Sequence, residues 1–288
     1  MDDELTERAR GRVGLVINEK YRIDEVLGVG GTAAVFAATH RNGHRVALKM
    51  LHRELSQRDV IRSRFLREGY LANRVAHRAV ARVTDDDVER DGSAYLVMEL
   101  LSGSTVEGLL EAQGGRLDLE LTLGIADATL DVLGAAHVAA VIHRDIKPAN
   151  LFLTKIGELK ILDFGVARLM EGASITGTGE LWGTAAFMPP EQALGDRTLD
   201  HRCDLWAVGA VIFRLLSGRD VHRAANDHQQ MLLAATQSAP RLASVAPQVP
   251  SAVCAIVDKA LMFNREDRWP SAQLMQSAIR KTCEYERL

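Results

Sequence analysis

Leu27-Gly28-Val29-Gly30-Gly31-Thr32-Ala33-Ala34-Val35 is a glycine-rich segment set between two strand-like runs. Glycine has no Cβ, so such a backbone can approach phosphate oxygens closely and adopt φ angles that other residues avoid. The segment joins strand to strand, whereas a dinucleotide site needs a strand followed by a helix. By itself it is also an ordinary hairpin turn. Val46-Ala47-Leu48-Lys49 then places a lysine on a strand, where its ammonium can meet phosphate oxygens. Glu68, on the helix that follows, can supply the carboxylate that orients it. A lone strand lysine is usually just solvated.

The sharpest run is His143-Arg144-Asp145-Ile146-Lys147-Pro148-Ala149-Asn150, followed thirteen residues after Asn150 by Asp163-Phe164-Gly165. Any one of these charged residues suits a surface loop. The ordered set, downstream of the glycine loop, Lys49 and Glu68, points to chemistry on a polyphosphate.

These residues need elements to hold them. From Tyr21 to about Leu101 the chain reads as strands: Tyr21 to Leu27, Val35 to Thr39, Val46 to Met50, Ala79 to Val88 and Ala94 to Leu100. Asn42-Gly43 and Asp91-Gly92 mark hairpin turns. One helix, about Asp59 to Arg74, interrupts the strands, with Ile61, Phe65, Leu66 and Leu71 at helical spacing. After Ser102-Gly103 the pattern turns helical: about Leu119 to Ala140, Asp204 to Leu216, His228 to Thr236, Ser251 to Met262 and Ser271 to Thr282. A small antiparallel lobe and a larger helical one make an α+β, two-lobed plan. The expected boundaries are an N-terminal extension over 1–17, without clear periodicity, a first lobe over 18–101 and a second over 102–288.

Composition narrows the function classes. Lys and Arg number 35 against 38 Asp and Glu, and the net charge of -3 argues against a dedicated nucleic-acid surface. The basic stretch from His52 to Arg67 reads as the wet face of a helix, diluted by Glu54, Asp59 and Glu68. Cys203, Cys254 and Cys283 form no CxxC pair and no disulfide framework. The start, Met1-Asp2-Asp3-Glu4, lacks the basic and apolar regions of a signal peptide. The apolar stretches Val138 to Ile142 and Trp206 to Phe213 are too short to span a membrane. A cytoplasmic location is the expectation.

The order of glycine-rich loop, VALK, helix glutamate, HRDxKxxN, DFG and a PPE element resembles the protein-kinase signature set. More narrowly it resembles the bacterial branch of eukaryotic-type (Hanks-type) serine/threonine kinases, from about Tyr21 to Ile279. The resemblance implies a two-lobed protein kinase fold and transfer of the ATP γ-phosphoryl group to Ser/Thr hydroxyls of proteins, the chain itself included. ATP would come with magnesium, or manganese as the alternative. Such a transfer asks for positioning and charge neutralisation more than covalent chemistry.

Carried onto this chain, Leu27, Gly28, Val29, Gly30, Gly31, Thr32, Ala33 and Val35 cover the nucleotide phosphates. Lys49 binds the α- and β-phosphates, held by Glu68. Asp163 and Asn150 hold the metal, Asp145 accepts the proton of the attacking hydroxyl, and Lys147 offsets charge on the transferred group. Lysine two residues after Asp145 favours Ser/Thr over Tyr. Val35 and Ala47 form the ceiling over adenine and Phe152 the floor. Met98 is the gatekeeper, and the backbone from Glu99 to Leu101 meets the adenine edge. Val35 and Ala47 also read as plain core. Glu191 is expected to pair with Arg268, and Asp204 to brace the catalytic loop backbone.

Arg144 precedes Asp145, so a phosphorylated loop could dock against it. Of Ser174, Thr176, Thr178 and Thr184, the candidates for autophosphorylation are Thr176 and Thr178, while Thr184 of Gly183-Thr184 shapes the substrate loop. Three positions depart from the family pattern. Ala33 stands for the third glycine of the loop, tolerable if its φ is negative. Pro189 replaces an alanine, which should stiffen the loop end. Asp220-Val221-His222 replaces a Pro-Phe type sequence and is expected on a docking face. Many bacterial relatives continue into a membrane helix and a sensor domain; neither is in this sequence, so it suits a free kinase or an excised domain. The rivals are a catalytically silent nucleotide-binding scaffold and a kinase acting on small molecules.

Overall fold

The computed structural model describes residues 2–163, 185–196 and 198–286. Its first part is an antiparallel sheet. Helix α1 (Asp2–Arg10) precedes strands β1 (Val16–Ile17), β2 (Tyr21–Val29), β3 (Ala33–His40) and β4 (Arg45–Leu51). A short helix α2 (Arg53–Ser56) and the long α3 (Asp59–Arg74) lead to β5 (Val83–Val88) and β6 (Ala94–Glu99). The sheet order is β1-β2-β3-β4-β6-β5. Gly43 and Gly92, at φ 88° and 90°, form the turns expected at Asn42-Gly43 and Asp91-Gly92.

Alternation along the strands separates two faces. Ala34, Phe36, Ala38, Val46, Leu48, Met50, Tyr95 and Val97 are buried together on one side. The register pairs Val35 with Lys49, Ala37 with Ala47, and Ala47 with Met98, which puts Val35, Ala47, Lys49 and Met98 on the other face. Against that face lies α3. Gly69 makes the close approach possible: a Cβ there would meet Leu96 Cδ2 at 3.1 Å and Val83 Cγ1 at 3.2 Å.

The second part contains β7 (Gly103–Thr105), α4 (Val106–Ala112), α5 (Leu119–Val138), β8 (Leu151–Thr154) and β9 (Leu159–Ile161). It continues with α6 (Pro190–Ala193), α7 (Arg202–Ser217), α8 (Asp227–Thr236), α9 (Ser251–Ala260) and α10 (Ala272–Glu286). Helices α5, α7, α9 and α10 share one hydrophobic core built around Trp206, Phe213, Leu130 and Leu133. By length and composition α5 could cross a membrane, but 56% of its apolar stretch is buried here, which makes it the central core helix. The three cysteines are free thiols, Cys203 and Cys254 inside the core.

Residues 2–17, expected as an N-terminal extension without clear periodicity, carry structure of their own: α1 packs on the sheet through buried Ala9, and β1 adds an edge strand with Ile17 buried. A hydrophobic residue every few positions in so short a segment leaves no periodicity to read. The strand expected over Ala79 to Val88 starts only at Val83; the preceding residues form a linker in which Val80 bridges to Ile161. Val221 and His222 are buried, so that segment packs inward instead of presenting a docking face.

Candidate active site

Lys49 is the hub of the site. From β4 its Nζ reaches Glu68 Oε1 on α3 at 3.0 Å and Asp163 Oδ1 at 2.7 Å. Burial penalises the Lys49 ammonium, but the Asp163 and Glu68 carboxylates outweigh it and raise its pKa. Glu68 is buried too, and desolvation pushes its carboxyl up to about 7 against the pull of Lys49, with the Asp163 and Asp145 charges adding to the rise. The expected lysine–glutamate pair is therefore formed, and Asp163 joins it. Asp163 adopts φ 49°, unusual for a residue other than glycine.

The glycine loop caps this cluster. Gly28 pairs with Val35, and Gly30 N donates to the Ala33 carbonyl at 2.9 Å. A Cβ on Gly28 would meet nothing within 4 Å, and one on Gly30 only the Ala33 carbonyl at 3.6 Å. Neither has a positive φ, so the fold itself does not require glycine there. Open space where a Cβ would stand suits close approach by a phosphate. Leu27 is half exposed at the loop's edge, whereas the Ala33 methyl is buried with Leu51, Phe65, Ala94 and Leu96. Ala33 φ is not positive, as its tolerance demands. His52 ties the loop down: its N donates to the Thr32 carbonyl at 2.9 Å, and its Nε2 lies 2.7 Å from the Gly30 carbonyl.

The segment from His143 to Asn150 is braced from below. Asp204, fully buried on α7, accepts hydrogen bonds from His143 N at 2.9 Å and Arg144 N at 2.8 Å, and lies 2.9 Å from His137 Nε2. Burial opposes its charge, but the His137 contact and these N–H groups hold its pKa below the usual range. Burial lowers the His143 pKa and so favours the neutral ring. Its Nδ1 accepts from Asp145 N and its Nε2 donates to the Leu162 carbonyl, each at 3.2 Å, an assignment that follows from these partners. Asn150 Nδ2 donates to the Asp145 carbonyl at 2.7 Å and Oδ2 at 2.9 Å, and Lys147 Nζ lies 3.1 Å from Asp145 Oδ2. Asp145, Lys147 and Asn150 thus meet as the sequence suggested. Arg144 sits at φ 66°, with Nε and Nη1 buried and without a hydrogen-bond partner among the described residues.

At the lobe junction Ala47 and Met98 are cross-strand neighbours under Val35, and β6 ends at Glu99. Leu101 follows, half-buried, and Phe152 on β8 stands opposite Thr105 and Lys160. Glu191 and Arg268 form the expected pair, Arg268 Nη1 to Oε1 at 2.6 Å and Nη2 to Oε2 at 2.7 Å. Phe164, Gly165, Ser174, Thr176, Thr178, Gly183 and Thr184 lie outside the described residues. Sequence motifs did not single out His52, His137, Lys160 or Gln192, whose Nε2 donates to the Arg144 carbonyl at 3.3 Å.

No group of three or more His, Cys, Asp or Glu side chains suited to a metal occurs among the described residues. Asp163 and Asn150 offer oxygen donors, since the Asn150 amide nitrogen is engaged with Asp145. Few protein oxygens, completed by phosphate oxygens and water, suit magnesium or manganese.

The family model described as the protein kinase domain matches residues 21–279. The probable serine/threonine-protein kinase SCO3848 of Streptomyces coelicolor is 36% identical over 267 residues, 90% of this chain and 39% of that protein. The probable serine/threonine-protein kinase PknB of Corynebacterium glutamicum is 33% identical over 92% of this chain and 42% of its own length. Serine/threonine-protein kinase PknA of Mycobacterium tuberculosis is 36% identical over 72% of this chain and 49% of its own. The chain thus spans less than half the length of these relatives. The crystal structure of the Mycobacterium tuberculosis PknI kinase domain superposes with a TM-score of 0.73 at 22% identity, covering 94% of this chain and 98% of that one, a likeness of fold.

Proposed function

Since the chain belongs to the protein kinase domain family, we propose that it is a serine/threonine protein kinase that moves the γ-phosphoryl group of ATP to protein hydroxyls. The observation that carries this is Lys49 held between Glu68 and Asp163, beside the Asp145, Lys147 and Asn150 cluster. Lys49 grips the α- and β-phosphates. Asp145 orients the attacking hydroxyl and takes its proton as the O–H bond breaks, the O–Pγ bond forms and the Pγ–O bond to ADP breaks. Lys147 offsets charge on the group in flight. Asp163 and Asn150 would hold a divalent cation, which would supply further neutralisation of the phosphate oxygens.

The Nε and Nη1 of Arg144, without a hydrogen-bond partner among the described residues, support the regulatory part of this reading. Two buried guanidinium nitrogens without such a partner are costly, and a phosphate on Thr176 or Thr178 would supply one. Replacing both threonines by alanine should remove autophosphorylation and lower activity; unchanged labelling and turnover would reject this assignment. The silent-scaffold alternative requires loss of Lys49, Asp145, Asn150 or Asp163, and all four are present.

The test is incorporation of label from radiolabelled ATP into the chain and a generic basic protein, with magnesium or manganese. Wild type should label both, and Asp145→Asn neither. A folded wild type that transfers nothing would leave the scaffold.

A further inference from the structure

Behind the nucleotide cleft one side chain joins three segments. Lys160 on β9 donates from Nζ to Glu99 Oε1 at 2.9 Å, to Glu99 Oε2 at 3.1 Å and to the Arg78 carbonyl at 2.9 Å. The Lys160 side chain is only 14% exposed, so these charge-assisted bonds form in a partly dry setting. Glu99 Oε1 also accepts from Arg82 N at 3.3 Å.

The three segments belong to different sides of the molecule. Glu99 ends β6 in the sheet. Arg78 lies in the linker between α3 and β5, and that linker is stitched to β9: Ile161 N donates to the Ala79 carbonyl at 2.7 Å, and Ala81 N to the Ile161 carbonyl at 3.1 Å. His77 in the same linker lies 3.2 Å from Asp131 on α5. Linker residues 77–81 and β9 are therefore tied to the helical side, while Glu99 belongs to the sheet and meets the linker's end through its N–H to the Arg82 carbonyl at 3.4 Å. β9 runs on through Leu162, whose N–H donates to the Asn150 carbonyl at 2.8 Å, into Asp163. Phe152 is the cross-strand partner of Lys160. Any rotation of one lobe against the other at residues 99–101 must stretch the Lys160–Glu99 bonds, and they are intact in the same structure in which Lys49 holds both Glu68 and Asp163.

We propose that Lys160 is a positioning residue for the nucleotide: by holding the Glu99 carboxylate beside the Arg78 carbonyl, it pins the backbone edge at residues 99–101 to the strand that delivers Asp163. This rests on the reading of the cleft as an ATP site. Adenine is held at its edge by backbone groups, so a small drift of β6 relative to Phe152 and Asp163 costs affinity that no lost ligand contact would explain. A bridge that merely stabilised the fold would leave affinity untouched.

The test uses the full chain with Lys160→Met, Lys160→Arg and Glu99→Gln, and reads ADP affinity with magnesium by calorimetry and amide hydrogen exchange over residues 97–103 without nucleotide. Lys160→Met should weaken ADP by about tenfold, the worth of one partly buried charge-assisted hydrogen bond, and speed exchange in that segment alone. In turnover the KM for ATP should rise while that for the protein substrate holds. Lys160→Arg should restore most of the affinity, and adding Glu99→Gln to Lys160→Met should change little more. Unchanged or tighter ADP binding, or faster turnover, in Lys160→Met would overturn the proposal; if that variant does not fold, Glu99→Gln alone decides in the same way. A wild type that binds no ADP would defeat the ATP-site reading separately, and unaltered exchange at residues 97–103 would still reject the latch.

Discussion

Asp204 reaches from the first turn of α7 to the backbone of Arg144, accepting its N–H at 2.8 Å, while its other oxygen takes the N–H of His143 at 2.9 Å. This buried carboxylate is held by the two backbone N–H groups and by His137 Nε2 at 2.9 Å, and in return it sets the course of the loop that carries Asp145. Asp204→Asn keeps the volume but turns one acceptor into a donor facing an N–H. The expected result is a loss on the order of 3 kcal/mol in stability and roughly 100-fold in turnover. Urea unfolding beside kinase assays of the two proteins checks it; near wild-type turnover would show that the loop holds its shape unaided.

The pH dependence of stability should carry the mark of Glu68. Its folded pKa, about 7, lies above the ordinary 4.5, because burial outweighs Lys49. The folded chain binds this proton more tightly than the unfolded chain does. The contribution is fully present below the unfolded pKa and is lost as pH rises through about 7, a change on the order of 3 kcal/mol. The ion pair with Lys49 forms over the same range, so activity should rise as this part of the stability falls. Unfolding free energies of wild type and Glu68→Gln, measured at about pH 5 and about pH 8, should diverge in favour of the glutamine variant at the higher pH. Parallel curves would count against a raised Glu68.

Ala33→Gly separates packing from nucleotide binding. The methyl group is buried in one cluster with Leu51 and Phe65, on the strand face it shares with Val35. Its removal should cost about 1 kcal/mol of stability, and nucleotide affinity should change by less than about tenfold. A larger gain in affinity would mean that the methyl restrains the loop.

Arg268 has a fully buried side chain that is joined at two points to Glu191 and donates further to the Met262 and Phe263 carbonyls. Arg268→Met leaves the Glu191 carboxylate without its cation and should cost about 3–5 kcal/mol. The double variant Arg268→Met, Glu191→Gln should recover part of that loss. A single variant as stable as wild type in thermal unfolding would place the pair among the dispensable ones.

Local patterns in the chain announced much of this structure. Asn42-Gly43 and Asp91-Gly92 are turns because glycine alone takes their positive φ freely, and α3 spans Asp59–Arg74 because its apolar residues recur on one face. Short or composite pieces escaped. Helix α4 is seven residues long and starts at a Thr105 side-chain cap, too brief for a period to emerge. Ala79 to Ala81 look like strand by composition, yet their partner is Ile161, far along the chain. The edge strand at Val16–Ile17 has only two residues.

Residue type and order, read along the chain, sufficed to single out Lys49, Glu68, Asp145, Lys147, Asn150 and Asp163 as candidates, since the proposed chemistry is written in short strings in a fixed order. Tertiary structure alone decided that Asp163 joins Lys49 and Glu68, that Asp204 holds the loop through backbone N–H groups, that Nε and Nη1 of Arg144 are buried without a hydrogen-bond partner among the described residues, and that Lys160 spans the lobes. Those are distances between residues remote in sequence, and their energies depend on burial. Neither separation nor dielectric environment is a property of one position, so both emerge only when the chain has closed on itself.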